Sequence, residues 1–244
     1  MNKDYPARDY QEEARDAVME GFRTGTKRGL LVLPTGAGKN YVACSLMDAY
    51  PHKKVLFLAD RNELIDQPWA SIVDFLGHAA GVEKASQHCE ETDRIVVGSI
   101  QTLSRRYKNF RPDRWDLLIA DEAHLSMSES WQTVLNYFGD HARVLGMTAT
   151  PFRTDNKSLM SWYEKEFYRK TIADLQDDGW LVPLEISNMG SGIDINHLKI
   201  KRGIDGKSSM KARWPRRSNP TWRRSPRSCC RSILNGGPWP SCPW

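Results

Sequence analysis

What this sequence lacks narrows the field first. No window is apolar for long enough to cross a membrane, and the opening MNKDYPARDYQEEA has no apolar segment of the kind a secretory signal needs. Cysteine is scarce: five occur in 244 residues, an odd number with no zinc-like spacing, which argues against a disulfide framework and against a zinc site. The first 200 residues have no basic excess, with 24 Lys and Arg against 29 Asp and Glu, a formal −5, whereas residues 201–244 hold three Lys and eight Arg against one Asp, a formal +10. Mild acidity does not exclude a nucleic-acid partner, because phosphate contacts need only a local basic surface. The expectation is a cytoplasmic protein with no membrane partner, built as one sizeable domain plus an appendage, since the chain is short for two full α/β domains.

What is present is an alternation. Residues 8–23, RDYQEEARDAVMEGFR, space Ala14, Val18 and Phe22 as an amphipathic helix would. Short apolar runs then recur in RGLLVLPTG, KVLFLAD, DRIVVGS, WDLLIAD and ARVLGMTAT, with helical stretches such as NYVACSLMDAY and RNELIDQPWASIVDFL between them. In the latter, Pro68 marks a kink or a new helix start. Strands apolar throughout and separated by helices predict a mostly parallel sheet covered on both faces, an α/β three-layer domain. Functional groups in such a fold gather at the carboxyl ends of the strands. PTGAGKN, ADRNE, GSIQT, ADEAH and MTATP all fall there. Beyond Pro151, YEKEFYRKTIADLQDDGWLVPLEIS suggests a helix closing at Gly179 and then a strand, so the folded unit is expected to span residues 1–202, with its core over about 5–185.

In PTGAGKN, Gly36 and Gly38 let backbone amides turn inward around phosphate oxygens, and Lys39 can reach the outer phosphates. The helix that follows presents its positive end to the same charge. The strict phosphate-loop pattern has Gly at position 33 and Ser or Thr at position 40, where this chain has Leu33 and Asn40. Downstream, WDLLIADEAH delivers Asp121 and Glu122 to the end of an apolar strand. One carboxylate can hold Mg²⁺ and its neighbour can position or deprotonate water.

With both strand-end sites in view, the sequence resembles the DEAH-box branch of superfamily 2 helicases and translocases, and in particular the motor subunits of type I and type III restriction enzymes. The resemblance covers roughly residues 5–202. It implies a RecA-like fold, ATP and Mg²⁺ as cofactors, and a nucleic-acid partner, DNA rather than RNA. It also implies roles. Arg8 and Gln11 match the adenine-recognising element. Pro34, Thr35, Gly36, Ala37, Gly38, Lys39 and Asn40 match the nucleotide loop, in which Lys39 is the phosphate ligand. Arg61, Ser99, Gln101 and Thr102 would lie near a nucleic-acid backbone. In Asp121-Glu122-Ala123-His124 the aspartate holds metal, the glutamate activates water and the histidine communicates with the translocating machinery. Thr148, Ala149 and Thr150 couple nucleotide state to nucleic-acid contact. Taken singly, Arg61 and Gln11 read equally well as solvated side chains; their joint order carries the resemblance.

The family motor has two RecA-like domains, and nothing after residue 202 resembles the second, so the chain reads as a first motor domain whose partners include that missing domain and a nuclease or restriction-type subunit. Asn40 stands where the family has a hydroxyl that ligates Mg²⁺; a carboxamide is bulkier and carries its oxygen one atom further out. Turnover is therefore expected to be weak, and a catalytically silent nucleotide- or nucleic-acid-binding module is the alternative. Residues 203–244, dense in Pro, Arg, Ser and Trp, have no usable period. They read as a disordered basic tail, as residues out of register with the original coding sequence, or as a nucleic-acid-binding arm in which Arg meets phosphate and Trp stacks on bases.

Overall fold

The computed structural model describes residues 6–61, 64–150 and 159–182, together with the backbone of 201–202 and 208–209. The chain divides into two units, Met1–Leu184 and Glu185–Trp244. In the second, Lys201–Arg202 pairs antiparallel with Ser208–Ser209, and the remainder of the basic tail lies outside the described residues.

The first unit opens with α1 (Asp9–Arg23), whose buried stripe is Tyr10, Ala14, Val18 and Phe22, the spacing expected of an amphipathic helix. The elements that follow are β1 (Arg28–Val32), α2 (Lys39–Ala49), β2 (Val55–Ala59), α3 (Asp66–Leu76), β3 (Gly81–Glu83) and β4 (Ile95–Ser99). Then come α4 (Ile100–Arg106), β5 (Leu117–Ala120), α5 (Glu129–Gly139), β6 (Arg143–Thr148), β7 (Lys165–Arg169) and α6 (Ile172–Asp177). Seven strands form one sheet in the order β3-β4-β2-β5-β6-β1-β7, and every pairing in it is parallel.

The strands are apolar throughout because both faces are covered, and alternate residues serve opposite cores. Leu31, Val55, Phe57, Val97, Ile119, Leu145 and Met147 pack with the apolar faces of α1, α2 and α3. Leu30, Leu56, Leu58, Val96, Leu118 and Val144 pack instead with α4 and α5, around Trp131 and Phe138. The expected three-layer α/β architecture is thus the observed one, with a RecA-like arrangement. Pro68 lies in the first turn of α3, where an amide would have no intrahelical acceptor, and so marks a start and not a kink.

The expectation of one helix closing at Gly179 needs correction. Residues 165–169 are a strand, β7, at the edge of the sheet, and helix is confined to Ile172–Asp177. Tertiary packing overrides local pattern here. The Phe167 ring lies flat against two glycines, Gly21 and Gly29, where any Cβ would come within 2.2 Å and 1.8 Å of its carbons. It also meets Phe22 edge-on at 5.1 Å between ring centres. Thr171 then starts α6 afresh: its hydroxyl accepts from the Asp174 amide at 3.1 Å, and the Asp174 carboxylate accepts from the Thr171 amide at 2.7 Å. Gly179, at φ +76°, does end the turn, and the Trp180 amide donates to Leu175 O at 2.8 Å. The strand expected after it lies outside the described residues.

Candidate nucleotide site

Because all strands run the same way, their carboxyl ends share one edge. Register fixes this: Val32 lies beside Thr148, Ala120 beside Gly146, Leu58 beside Ala120, and Ala59 beside Ser99. β6 alone separates β1 from β5, so the glycine loop and the carboxylate pair stand two strand spacings apart, roughly 10 Å, with Thr148 between them. The candidate nucleic-acid residues lie on the far side of β5, after β2 and β4.

The loop after β1 is anchored at both ends. The Leu33 amide donates to Thr148 O at 3.0 Å, and the Ala37 amide closes a turn on Pro34 O at 3.2 Å. Pro34 and Ala37 are buried while Thr35 and Gly36 are exposed, so the tip of the loop faces outward. Gly36 and Gly38 both have φ +81°. Open space surrounds Gly36, whereas a Cβ on Gly38 would stand 2.4 Å from Gln11 Nε2. α2 starts immediately afterwards with no acidic residue in its first turn, leaving the positive helix end uncompensated by side chains. Lys39 Nζ donates to Leu33 O at 3.3 Å. Asn40 is half-buried, and no hydrogen bond to its carboxamide is found among the described residues.

α1 braces this loop. Ala37 O accepts from Tyr10 Oη at 2.8 Å and from Gln11 Nε2 at 3.0 Å. Gln11 is buried, and its other amide atom accepts from the Arg8 backbone at 3.1 Å. Arg8 in turn donates from Nη1 to Tyr10 Oη at 3.0 Å, and its guanidinium lies over the Trp180 ring, 5.2 Å from the ring centre. Sequence reading did not find Tyr10 or Trp180. Tyr10 continues the apolar stripe of α1 and looks like core, and Trp180 meets Arg8 only through the fold.

Asp121 and Glu122 end β5. The Asp121 amide continues the ladder to Leu58 O at 3.0 Å, and its carboxylate accepts from the Glu122 amide at 3.0 Å. Burial raises the Asp121 pKa, and the neighbouring Glu122 charge adds to this; the Glu122 amide, Lys39 and His124 oppose it. Glu122 adopts φ 51°, ψ 49°, left-handed backbone that a non-glycine residue occupies at a cost of about 1–2 kcal/mol. The turn re-aims its carboxylate toward His124, whose Nδ1 lies 3.2 Å from Oε2. The same nitrogen is 3.4 Å from Thr148 Oγ1. Thr148 spends its one hydroxyl proton on Thr150 O at 3.0 Å and accepts the Thr150 amide at 3.1 Å. With Thr148 and the Glu122 carboxylate both offering lone pairs, Nδ1 is the ring nitrogen that carries hydrogen. Glu122, His124, Thr148 and Thr150 therefore form one polar chain between β5 and β6.

The other candidates lie along the same edge in different states. Arg61 is exposed and pairs with Asp60 at 3.2 Å. Gln101 is exposed on α4. Ser99 and Thr102 are buried and cap that helix: Ser99 Oγ accepts from the Thr102 amide at 3.2 Å and donates to Thr102 Oγ1 at 2.9 Å. Thr102 Oγ1 also accepts the Ala85 amide at 3.1 Å. These hydroxyls shape the start of α4, while Gln101 and Arg61 present polar atoms outward. Two concavities, of about 330 and 610 Å³, lie around Asp116 at the opposite edge of the sheet and touch none of these residues.

Residues 4–153 match the family described as type III restriction enzyme, res subunit. The chain belongs to this family. It carries the helicase-like ATP-binding domain of superfamily 2, of the kind found in helicases and restriction motor subunits. It is 29% identical over 208 residues to the type I restriction enzyme EcoAI endonuclease subunit of Escherichia coli, a match covering 80% of this chain and 25% of that protein. It is 32% identical over 171 residues to the DNA 3'-5' translocase XPB2 of Sulfurisphaera tokodaii, covering 69% and 36%. The helicase domain of Pyrococcus furiosus Hef shares the fold, with a TM-score of 0.56 at 22% identity over 70% of this chain and 40% of that one. The res-family chain spans about a quarter to a third of the curated relatives it matches. Among its described residues no helix is long and apolar enough to cross a membrane.

Proposed function

We propose that the chain is the ATP-binding half of a DEAH-type DNA helicase or translocase, working with a second RecA-like domain and a restriction-type partner, and turning over weakly by itself. The observation that supports this most is the placement of Lys39 and the Asp121–Glu122 pair on either side of one strand end, with Glu122 joined through His124 to Thr148.

The residues present fit Mg²⁺-ATP. The amides of Thr35, Gly36 and Gly38 and those that open α2 offer donors to phosphate oxygens, Lys39 offers a cation, and Asp121 offers a half-buried carboxylate oriented by a backbone amide. When bound, ATP supplies the phosphoryl group and Mg²⁺ neutralises its developing charge. Glu122, turned out of the strand, takes the role of positioning water and accepting its proton. His124 holds Glu122 and passes its position to Thr148, whose strand also anchors the phosphate loop through Leu33. Arg61 and Gln101 are the candidates for contacts to a DNA backbone, which suit sequence-independent movement.

Asn40 supports the weak-turnover part of the reading. Loss of a hydroxyl ligand costs roughly 1–3 kcal/mol, about 5- to 150-fold in rate. Measuring Mg²⁺-dependent ATPase with and without DNA, for the parent and for Asn40→Thr, tests it. The expected result is a slow parent and a variant faster by that factor and stimulated by DNA. Equal, substantial rates in both would refute the role given to Asn40. ATP binding with no turnover in either would favour a catalytically silent module.

A further inference from the structure

We propose that Trp180 is a positioning residue for recognition of the nucleotide base: it holds the Arg8 guanidinium over its ring, so that the guanidinium's other side can stack on a purine. This rests on reading residues 34–40 as the phosphate site.

Arg8 is held on two sides. Its guanidinium lies over the indole at 5.2 Å, and Nη1 donates to Tyr10 Oη at 3.0 Å. Tyr10 Oη then donates to Ala37 O at 2.8 Å, and the Tyr10 ring meets Trp180 edge-on at 6.1 Å between ring centres. The plane that would face a base is thereby tied, through two hydrogen bonds, to the loop that would hold the phosphates. Trp180 itself is fixed from behind. Gly179, at φ +76°, ends α6, and the amides of Trp180 and Leu181 both donate to Leu175 O, at 2.8 and 2.9 Å. The capping box at Thr171 and Asp174 fixes the other end of that short helix.

Burial points the same way. An indole selected only to fill the core would be covered, but Trp180 is 42% exposed, whereas Tyr10 beside it is 2% exposed. A guanidinium has two faces; with one on Trp180, the other can receive a planar aromatic group, the arrangement by which arginine commonly meets bases. Ordering Arg8 in advance also reduces the entropy lost when a base arrives. Gln11, by contrast, has its amide oxygen on the Arg8 backbone and its amide nitrogen on Ala37 O, so within this cluster the planar guanidinium is the group suited to stacking.

The test separates base from phosphates. Binding of ATP and of inorganic tripolyphosphate is measured by calorimetry for the parent chain and for Trp180→Ala, Trp180→Phe, Arg8→Ala, the Arg8→Ala/Trp180→Ala double variant and Lys39→Ala. Trp180→Ala should weaken ATP about tenfold, the scale of a partly buried cation–π contact, and leave tripolyphosphate within about twofold. Trp180→Phe, which keeps an aromatic face, should recover most of the loss, and adding Trp180→Ala to Arg8→Ala should change nothing further. Unchanged tripolyphosphate binding also shows that the variants are folded. Trp180→Ala binding ATP as tightly as the parent overturns the proposal, and so does an equal loss for both ligands, which would make Trp180 a structural support only. A Lys39→Ala variant that binds both ligands as the parent does would instead overturn the phosphate-site reading, whatever Trp180 does.

Discussion

Replacing Gly38 by alanine places two separate demands on the phosphate loop, and the structure gives a size for each. The first is conformational. Gly38 has φ +81°, and an L-residue in left-handed backbone costs about 1–2 kcal/mol. The second is steric: the new Cβ would stand 2.4 Å from Gln11 Nε2. That atom ends a flexible side chain, but Gln11 is only 6% exposed and its amide is bonded to Ala37 O at 3.0 Å, so yielding breaks a buried hydrogen bond worth about 0.5–1.5 kcal/mol. Gly38→Ala should therefore cost about 2–3 kcal/mol, a shift of roughly 4–12 °C in Tm for a domain of this size. Gly36→Ala is the internal control, because Gly36 shares φ +81° but has nothing within 4 Å of its would-be Cβ; only the conformational cost of about 1–2 kcal/mol remains. Removing Gln11 should relieve the second demand, so that Gly38→Ala costs about 1 kcal/mol less in a Gln11→Ala background. Thermal and urea unfolding of the parent, the two glycine variants, Gln11→Ala and the Gly38→Ala/Gln11→Ala double variant test both demands. Equal losses at Gly36 and Gly38, or a Gly38→Ala cost unchanged by Gln11→Ala, would refute the brace between α1 and the loop.

Two further outcomes follow from the carboxylate end. Burial, then the Glu122 charge, raises the Asp121 pKa above 3.8, so the native state binds this proton more tightly than the unfolded chain does. Stability from this group falls as pH rises through that window, and Asp121→Asn should melt above the parent at pH 7, the gain shrinking as pH drops toward 3.8, while ATP turnover is lost. A gain that grows in acid would contradict the assignment. Thr148→Val removes the hydroxyl shared by Thr150 and His124, with an expected stability loss of about 1–2 kcal/mol. ATP affinity should stay within about twofold of the parent, and DNA stimulation of turnover should disappear; retained stimulation would remove Thr148 from the coupling path.

The layer architecture was legible because five short apolar runs, each ending in small or polar residues and separated by helical stretches, have the pattern of strands buried on both faces. Lys39, Asp121 and Glu122 were legible for the same reason: their chemistry sits at strand ends. What the sequence concealed is tertiary. KEFYR reads as part of a helix until Phe167 is seen against Gly21 and Gly29, since bare glycines on another helix and strand leave no local signal. Tyr10 has the spacing of a core residue, and its hydroxyl contact to Ala37 joins positions far apart in sequence. Ser99 and Thr102 were read by resemblance as nucleic-acid residues, and their burial as a helix cap is visible only once α4 is placed on β4. Nor does a sequence pattern report that Glu122 is left-handed, which is what turns its carboxylate toward His124.

The central claim is that residues 34–40 and Asp121 hold a nucleotide triphosphate, and Lys39 tests it most directly. Calorimetric titration of Mg²⁺-ATP into the parent chain and into Lys39→Ala should show one saturable site in the parent, weakened about 10- to 100-fold by loss of the charge-assisted contact. ATP binding of equal affinity in both chains would contradict it.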